Sequence, residues 1–149
     1  MIWLAVLLLI GPAGTGVHVD ARDHPTPGAG VEAFSGMERA LVRGFDNVCG
    51  DTFCEGDYSN LRALQLRCAV RRDSGAVSEC LWSFAGSHAA VRADTPVPEV
   101  DARVWACRLP TAPATPLSAL LALLSGPDAI DTPLPGTGIS VYGSLVGCL

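Results

Sequence analysis

The chain has 149 residues, of which 49% are hydrophobic and 17% charged, and its 15 acidic and ten basic side chains give a formal net charge of −5. This composition is typical of a folded domain and excludes a wholly disordered chain. Every basic residue is arginine, and Arg71–Arg72 is the longest basic run, so the clustered positive charge that nucleic-acid binding needs is missing. The lack of lysine, beside abundant alanine, glycine and proline, favours a bacterium with a GC-rich genome.

The N-terminus carries an unbroken apolar run at residues 2–10, followed by helix breakers. A bilayer span takes about 20 residues, so this run fits the hydrophobic region of a secretory signal better than a membrane helix. Val19-Asp20-Ala21 offers a small-residue cleavage site. We therefore expect residues 1–21 to be a signal peptide, the product to be secreted or periplasmic, and no membrane span to remain after signal removal. The alternative is a buried helix of the mature fold.

Next along the chain come a leader and a helix. Residues 22–33 are rich in proline and glycine, which predicts a flexible leader. From residue 35 the apolar positions follow helical spacing, with Ser35 as the N-cap and Glu38 completing a capping box. Residues 34–149 are therefore expected to form a single disulfide-bonded domain.

An acidic segment follows this helix and carries the candidate site residues Asp51, Glu55, Asp57 and Tyr58. Its glycines and acidic side chains are typical of a surface loop, which makes it a possible contact loop. Two alternatives stay open. Paired carboxylates are the groups a small secreted hydrolase would use. Several oxygen ligands would also suit a calcium-stabilised structural domain, although the spacing is not that of an EF-hand.

Residues 63–70 and 76–84 alternate in polarity and predict a β-hairpin around Asp73-Ser74-Gly75, with Gly75 at a positive φ. When the pairing is centred on this turn, the residue numbers of two opposed residues add up to 148. One face of the hairpin is then apolar and forms the core face, because strand side chains alternate. The opposed pairs on that face are Val70 with Ser78, Cys68 with Cys80, Leu66 with Trp82 and Leu64 with Phe84. On the other face, Glu79 lies diagonal to Arg67 and Arg71 as a possible charge pair.

Six cysteines lie after the signal, and an even number in an exported chain indicates disulfides. No C-x2-C knuckle is present, so we expect no zinc site, and the sequence names no metal or other cofactor. The register of the hairpin and the short separation of two of the cysteines favour one set of disulfide pairs over the others. These pairs are Cys49–Cys54, Cys68–Cys80 and Cys107–Cys148.

The remaining segments complete an α+β prediction. Residues 85–100 indicate a loop, with at most a short strand at 88–92, and residues 101–109 indicate a third strand. Pro116 and Gly126 bound a buried helix, and Ser140 begins a short last helix, for which a strand is the alternative. The expected fold is a small antiparallel β-meander of about three strands, disulfide-stabilised, with helices packed on its apolar face.

The sequence gives no catalytic constellation, and His88 is the only histidine expected with certainty inside the folded domain. The leading hypothesis is therefore a non-catalytic binding or inhibitor-like module for an unknown protein or envelope component. Its contacts would come from the loop at 50–60 and from the sheet face around Arg67, Arg71 and Trp105.

Overall fold

The computed structural model of the chain describes residues 17–149. Four antiparallel strands form one sheet in the order β1-β2-β3-β4, and helices pack on its apolar face. The α+β class and the disulfide-stabilised meander are confirmed, with four strands rather than three. The strands are β1 His18–Asp20, β2 Arg62–Arg71, β3 Val77–Ala90 and β4 Glu99–Leu109. The helices are α1 Val31–Cys49, α2 Leu117–Leu124 and α3 Val141–Val146, preceded by a short 3-10 helix at Ala21–Asp23.

The additional strand, β1, comes from residues that the sequence assigned to the signal peptide. His18 pairs with Arg71 and Asp20 with Ala69, at the edge of β2. The segment 22–33, expected to be a flexible leader, instead continues the 3-10 helix and supplies the first residues of α1. The sequence does not reveal this arrangement, because a three-residue strand carries no measurable alternation and its stability comes from tertiary contacts.

Beyond β1, two side chains close the edge of β2 at Leu66. The Leu66 N–H donates to Glu38 Oε1 at 2.7 Å, and the Leu66 carbonyl accepts from Arg22 Nη1 at 3.1 Å. Arg22 Nη2 also donates to Glu38 Oε2 at 2.8 Å, which joins the two side chains into one group. A buried backbone pair without a partner strand is destabilising, so this group takes over the hydrogen bonds a strand would make.

Helix α1 begins at Val31, one turn before the expected N-cap at Ser35, which lies inside the helix. Its apolar stripe is otherwise the predicted one, with Met37, Leu41 and Phe45 fully buried. Phe45 packs against the inner face of β3, at 4.9 Å from Phe84 between ring centroids. Burial of such a ring stabilises by about 2–3 kcal/mol, so α1 and β3 form the centre of the core.

The β2–β3 hairpin has the expected turn and, in its middle, the expected register. Gly75 has φ +67°, and Cys68 opposes Cys80. Toward both ends the register differs, because bulges shift the pairing by one residue and reverse the side-chain alternation. Val70 therefore opposes Val77 rather than Ser78, and Ala63 rather than Leu64 opposes Phe84. Leu64 was expected in the core and is instead 55% exposed.

The expected loop at residues 85–100 is largely strand. β3 continues to Ala90, and its pairing with β4 runs without interruption to Glu99. β2 ends opposite Ala85, so β3 and β4 extend past it as a two-stranded ribbon. This extension has no clear local pattern, because many of its residues are small or polar and their alternation is weak.

The three disulfides join the pairs that the sequence ranked first. Their Cα–Cα distances are 5.0 Å for Cys49–Cys54, 4.1 Å for Cys68–Cys80 and 5.7 Å for Cys107–Cys148. The last bridge fastens the chain end after α3 to β4, and α3 is a helix rather than the alternative strand. No helix within residues 17–149 is long and apolar enough to cross a bilayer.

Candidate functional site

The acidic loop after α1 holds its three carboxylates toward solvent. Asp51, Glu55 and Asp57 are all exposed, and the Cys49–Cys54 bridge closes the beginning of the loop. A hydrolase would need two of these carboxylates in one concave pocket, which their exposure does not support. Within residues 17–149, no group of three or more histidine, cysteine, aspartate or glutamate residues is placed to hold a metal ion.

Tyr58, the fourth residue of the possible contact loop, is held against the inner face of the ribbon. Its ring meets Trp105 edge-on, with centroids 5.1 Å apart, and its hydroxyl donates to the Asp101 carboxylate. That hydrogen bond raises the pKa of Tyr58. The Arg103 guanidinium lies 5.3 Å from the ring centroid. A Cβ on Gly86 would come within 3.2 Å of the Tyr58 Cβ, so glycine there lets the loop pack closely.

The end of the loop is fastened to the ribbon by a reciprocal pair of hydrogen bonds. The Asn60 amide donates to Ser87 Oγ at 2.6 Å and accepts from the Ser87 N–H at 2.7 Å. Ser87 and the exposed His88 are successive strand residues, whose side chains leave opposite faces of the ribbon. Ser87 and His88 are therefore not arranged as a nucleophile and its base. The two hydrogen bonds between Asn60 and Ser87 hold the end of the loop on the ribbon.

The sheet face expected around Arg67, Arg71 and Trp105 is not one surface. Trp105 lies on the inner face with Cys107, while Arg67 pairs with Asp20 across the other face, with Nε and Oδ2 2.6 Å apart. Arg71 pairs with Asp73, its Nη2 2.7 Å from Oδ2, and the bond lowers the pKa of the Asp73 carboxyl to about 2. Both arginines already have carboxylate partners within the chain, which reduces their availability to another molecule.

A surface that the sequence reading missed lies on the outer face of the sheet. We call it the outer patch, and it consists of the apolar side chains of Leu64, Ala85, Ala102 and Val104. Leu64 and Val104 are 55% and 71% exposed. These residues line an open depression of about 450 Å³, together with Asn60, Arg62, Gly86, Ser87 and Arg103. The β2 bulge creates the patch by turning Leu64 outward.

Arg62 supplies positive charge at the rim of the outer patch. It is exposed, and no carboxylate of residues 17–149 pairs with it. The outer patch therefore combines an apolar floor with an exposed cation at its rim.

Known proteins offer no guide to this surface. Comparison of the chain with protein-family models, with curated protein sequences and with solved structures finds no match.

Proposed function

We propose that this chain is an exported, disulfide-stabilised binding domain without a catalytic role, and that it holds a partner protein on the outer patch. The observation that carries this proposal is the exposure of Leu64 on β2 and Val104 on β4, on either side of Ala85 in the same depression. Interfaces combine an apolar centre with a polar rim, and clustered exposed apolar side chains mark such sites. Arg62 and Asn60 provide the rim.

The chemistry of the outer patch favours a partner segment with an apolar side chain next to a carboxylate. The apolar group would fill the depression between Leu64 and Val104, and the carboxylate would reach Arg62, which lacks an internal partner among residues 17–149. The Cys68–Cys80 bridge joins β2 and β3, two of the strands that carry the patch. A surface that is rigid before binding loses little conformational entropy when a partner docks.

Export is part of the same proposal. Three disulfides persist in an oxidising compartment, which agrees with the apolar N-terminal run and a secreted or periplasmic location. Because His18–Asp20 form β1 and Asp20 pairs with Arg67, we move the proposed signal cleavage from after Ala21 to before Val17. In this proposal the loop at 50–60 packs Tyr58 against the inner face of the ribbon and ends at Asn60, on the rim of the outer patch.

Selection of a phage-displayed peptide library on the oxidised protein tests the binding surface. The wild type is expected to enrich peptides in which an apolar residue neighbours Asp or Glu. Leu64→Glu is expected to abolish this enrichment, and Arg62→Glu to remove the acidic preference. Val146→Glu is the matched control, since Val146 is 59% exposed on α3, away from the outer patch. No enrichment, or equal enrichment by Leu64→Glu, contradicts the proposal.

A further inference from the structure

The edge strand β4 is long, regular and open. It pairs with β3 over 11 residues without a bulge, and within residues 17–149 the sheet has no strand on its other side. Natural sheets usually protect such an edge with charged side chains, proline or a bulge, and β4 carries the charges of Asp101 and Arg103 in its exposed part. Here the prolines Pro98 and Pro110 flank the strand, and none lies inside it.

The open part of β4 lies before its disulfide. The side chains of the strand are exposed from Glu99 to Val104 and again at Ala106, half-exposed at Trp105 and buried at Cys107, where the bridge to Cys148 begins. The stretch available for pairing is therefore 99–106, and Ala102 lies near its middle.

The charges on β4 are self-complementary about that same residue. When two copies pair antiparallel around a two-fold axis at Ala102, Asp101 of each copy faces Arg103 of the other, and Val100 faces Val104. A centre at Asp101 would set that carboxylate against its own copy, and a centre at Arg103 would oppose two guanidinium groups. Opposite charges across strands stabilise and like charges destabilise, so the charge pattern selects the register centred on Ala102, within the exposed stretch of β4.

We propose that two copies of this chain associate through their β4 edges, antiparallel and centred on Ala102. The ladder is short, so the dimer is weak and its population depends on protein concentration. The two-fold axis stands perpendicular to the sheet, which leaves the outer patch of each copy on the same side. The pairing uses the β4 backbone and the charges of Asp101 and Arg103, and it places Val100 of one copy beside Val104, at the margin of the other copy's outer patch. Association is measured on the protein alone, so its failure is distinguishable from a failure of the proposed binding function.

Sedimentation velocity of the oxidised protein, from about 1 µM to about 500 µM, covers the range of weak interfaces. The wild type is expected to pass from monomer to dimer. Asp101→Arg and Arg103→Glu each turn two attractive cross-copy pairs into repulsive ones and are expected to weaken the dimer at least about tenfold. Arg39→Glu, an exposed charge reversal on α1, is the matched control and is expected to dimerise like the wild type.

Mixing separates the edge contact from effects inside one copy. Within one copy, Arg103 Nε lies 3.5 Å from Asp101 Oδ2, and both residues contact Tyr58, so each variant also changes an internal ion pair and its own loop. An equimolar mixture of the two variants restores opposite charges only between copies, and we expect it to dimerise. The double variant Asp101→Arg with Arg103→Asp keeps complementary pairs and is also expected to dimerise. A monomeric wild type, a dimer unaffected by either reversal, or a mixture that stays monomeric overturns the proposal.

Discussion

Replacing Glu38 with alanine removes the side chain that closes the edge of β2 next to β1. Glu38 accepts the Leu66 N–H at 2.7 Å and pairs with Arg22 at 2.8 Å. Leu66 is fully buried, and the side chains of Glu38 and Arg22 are only 21% and 20% exposed. The substitution therefore leaves the buried Leu66 amide without an acceptor and removes one of the acceptors of the largely buried Arg22 guanidinium.

The expected cost follows from these contacts. A hydrogen bond to a charged acceptor contributes about 1.5–3 kcal/mol, and an unpaired buried donor adds a desolvation cost of similar size. Because one of the two donors, Arg22, keeps its bond to the Leu66 carbonyl, we expect a loss of about 3 kcal/mol in the free energy of unfolding for Glu38→Ala. Glu38→Gln keeps an acceptor for the amide but loses the charge, and is expected to cost about half as much.

Urea denaturation of the oxidised protein, followed by circular dichroism, measures these changes. Glu32→Gln is the control, because Glu32 is exposed in the first turn of α1 and its loss is expected to change stability by less than about 0.5–1 kcal/mol. A double-mutant cycle with Arg22→Ala is expected to show a coupling of about 1 kcal/mol or more. A cost below about 1 kcal/mol for Glu38→Ala, or an equal cost for Glu32→Gln, refutes the role of Glu38 as a substitute for a strand.

Three further predictions concern the ribbon, the chain end and the N-terminus. The pKa of Tyr58 is raised because its hydroxyl donates to Asp101, so Asp101→Asn is expected to lower that pKa. Ultraviolet titration measures the change in a protein whose other tyrosine is replaced by phenylalanine. Since the folded protein favours the protonated phenol, this contribution to stability is present below the ordinary tyrosine pKa of 10.0 and is lost as the pH rises through the raised value. Replacing Cys107 and Cys148 together by alanine removes a bridge with a sequence separation of 41 residues. The loop-entropy relation predicts a loss of about 4 kcal/mol in the free energy of unfolding. Urea denaturation measures this loss, and an unchanged midpoint contradicts the prediction. Intact mass of the exported protein is expected to give an N-terminus at or before Val17, and a product beginning after Ala21 contradicts the assignment of β1 to the mature domain.

The parts of the fold that follow from local pattern could be predicted from the sequence. Cys68 and Cys80 face each other because Gly75 allows the turn and strand parity then fixes which residues are opposite. The stripe through Met37 and Phe45 follows in the same way from helical spacing.

The parts that depend on tertiary contacts could not be predicted. No residue type or spacing around Leu64 marks the position of the bulge, so nothing local indicates that Leu64 turns outward while Ala63 opposes Phe84. The outer patch exists only because of that turn. Tyr58 was named from its loop, but its contact with Trp105, 47 positions further along the chain, depends on where the ribbon lies.

The two edges of the sheet differ, and the difference limits how far copies of this chain can add to one another. On one side lie the three residues of β1 and the charged group that Glu38 and Arg22 form at Leu66, which offer little backbone to an incoming strand. On the other side β4 is free along its exposed length within the described chain. If β4 joins β4, the longest open edge of each copy is covered, which favours a closed pair over a filament.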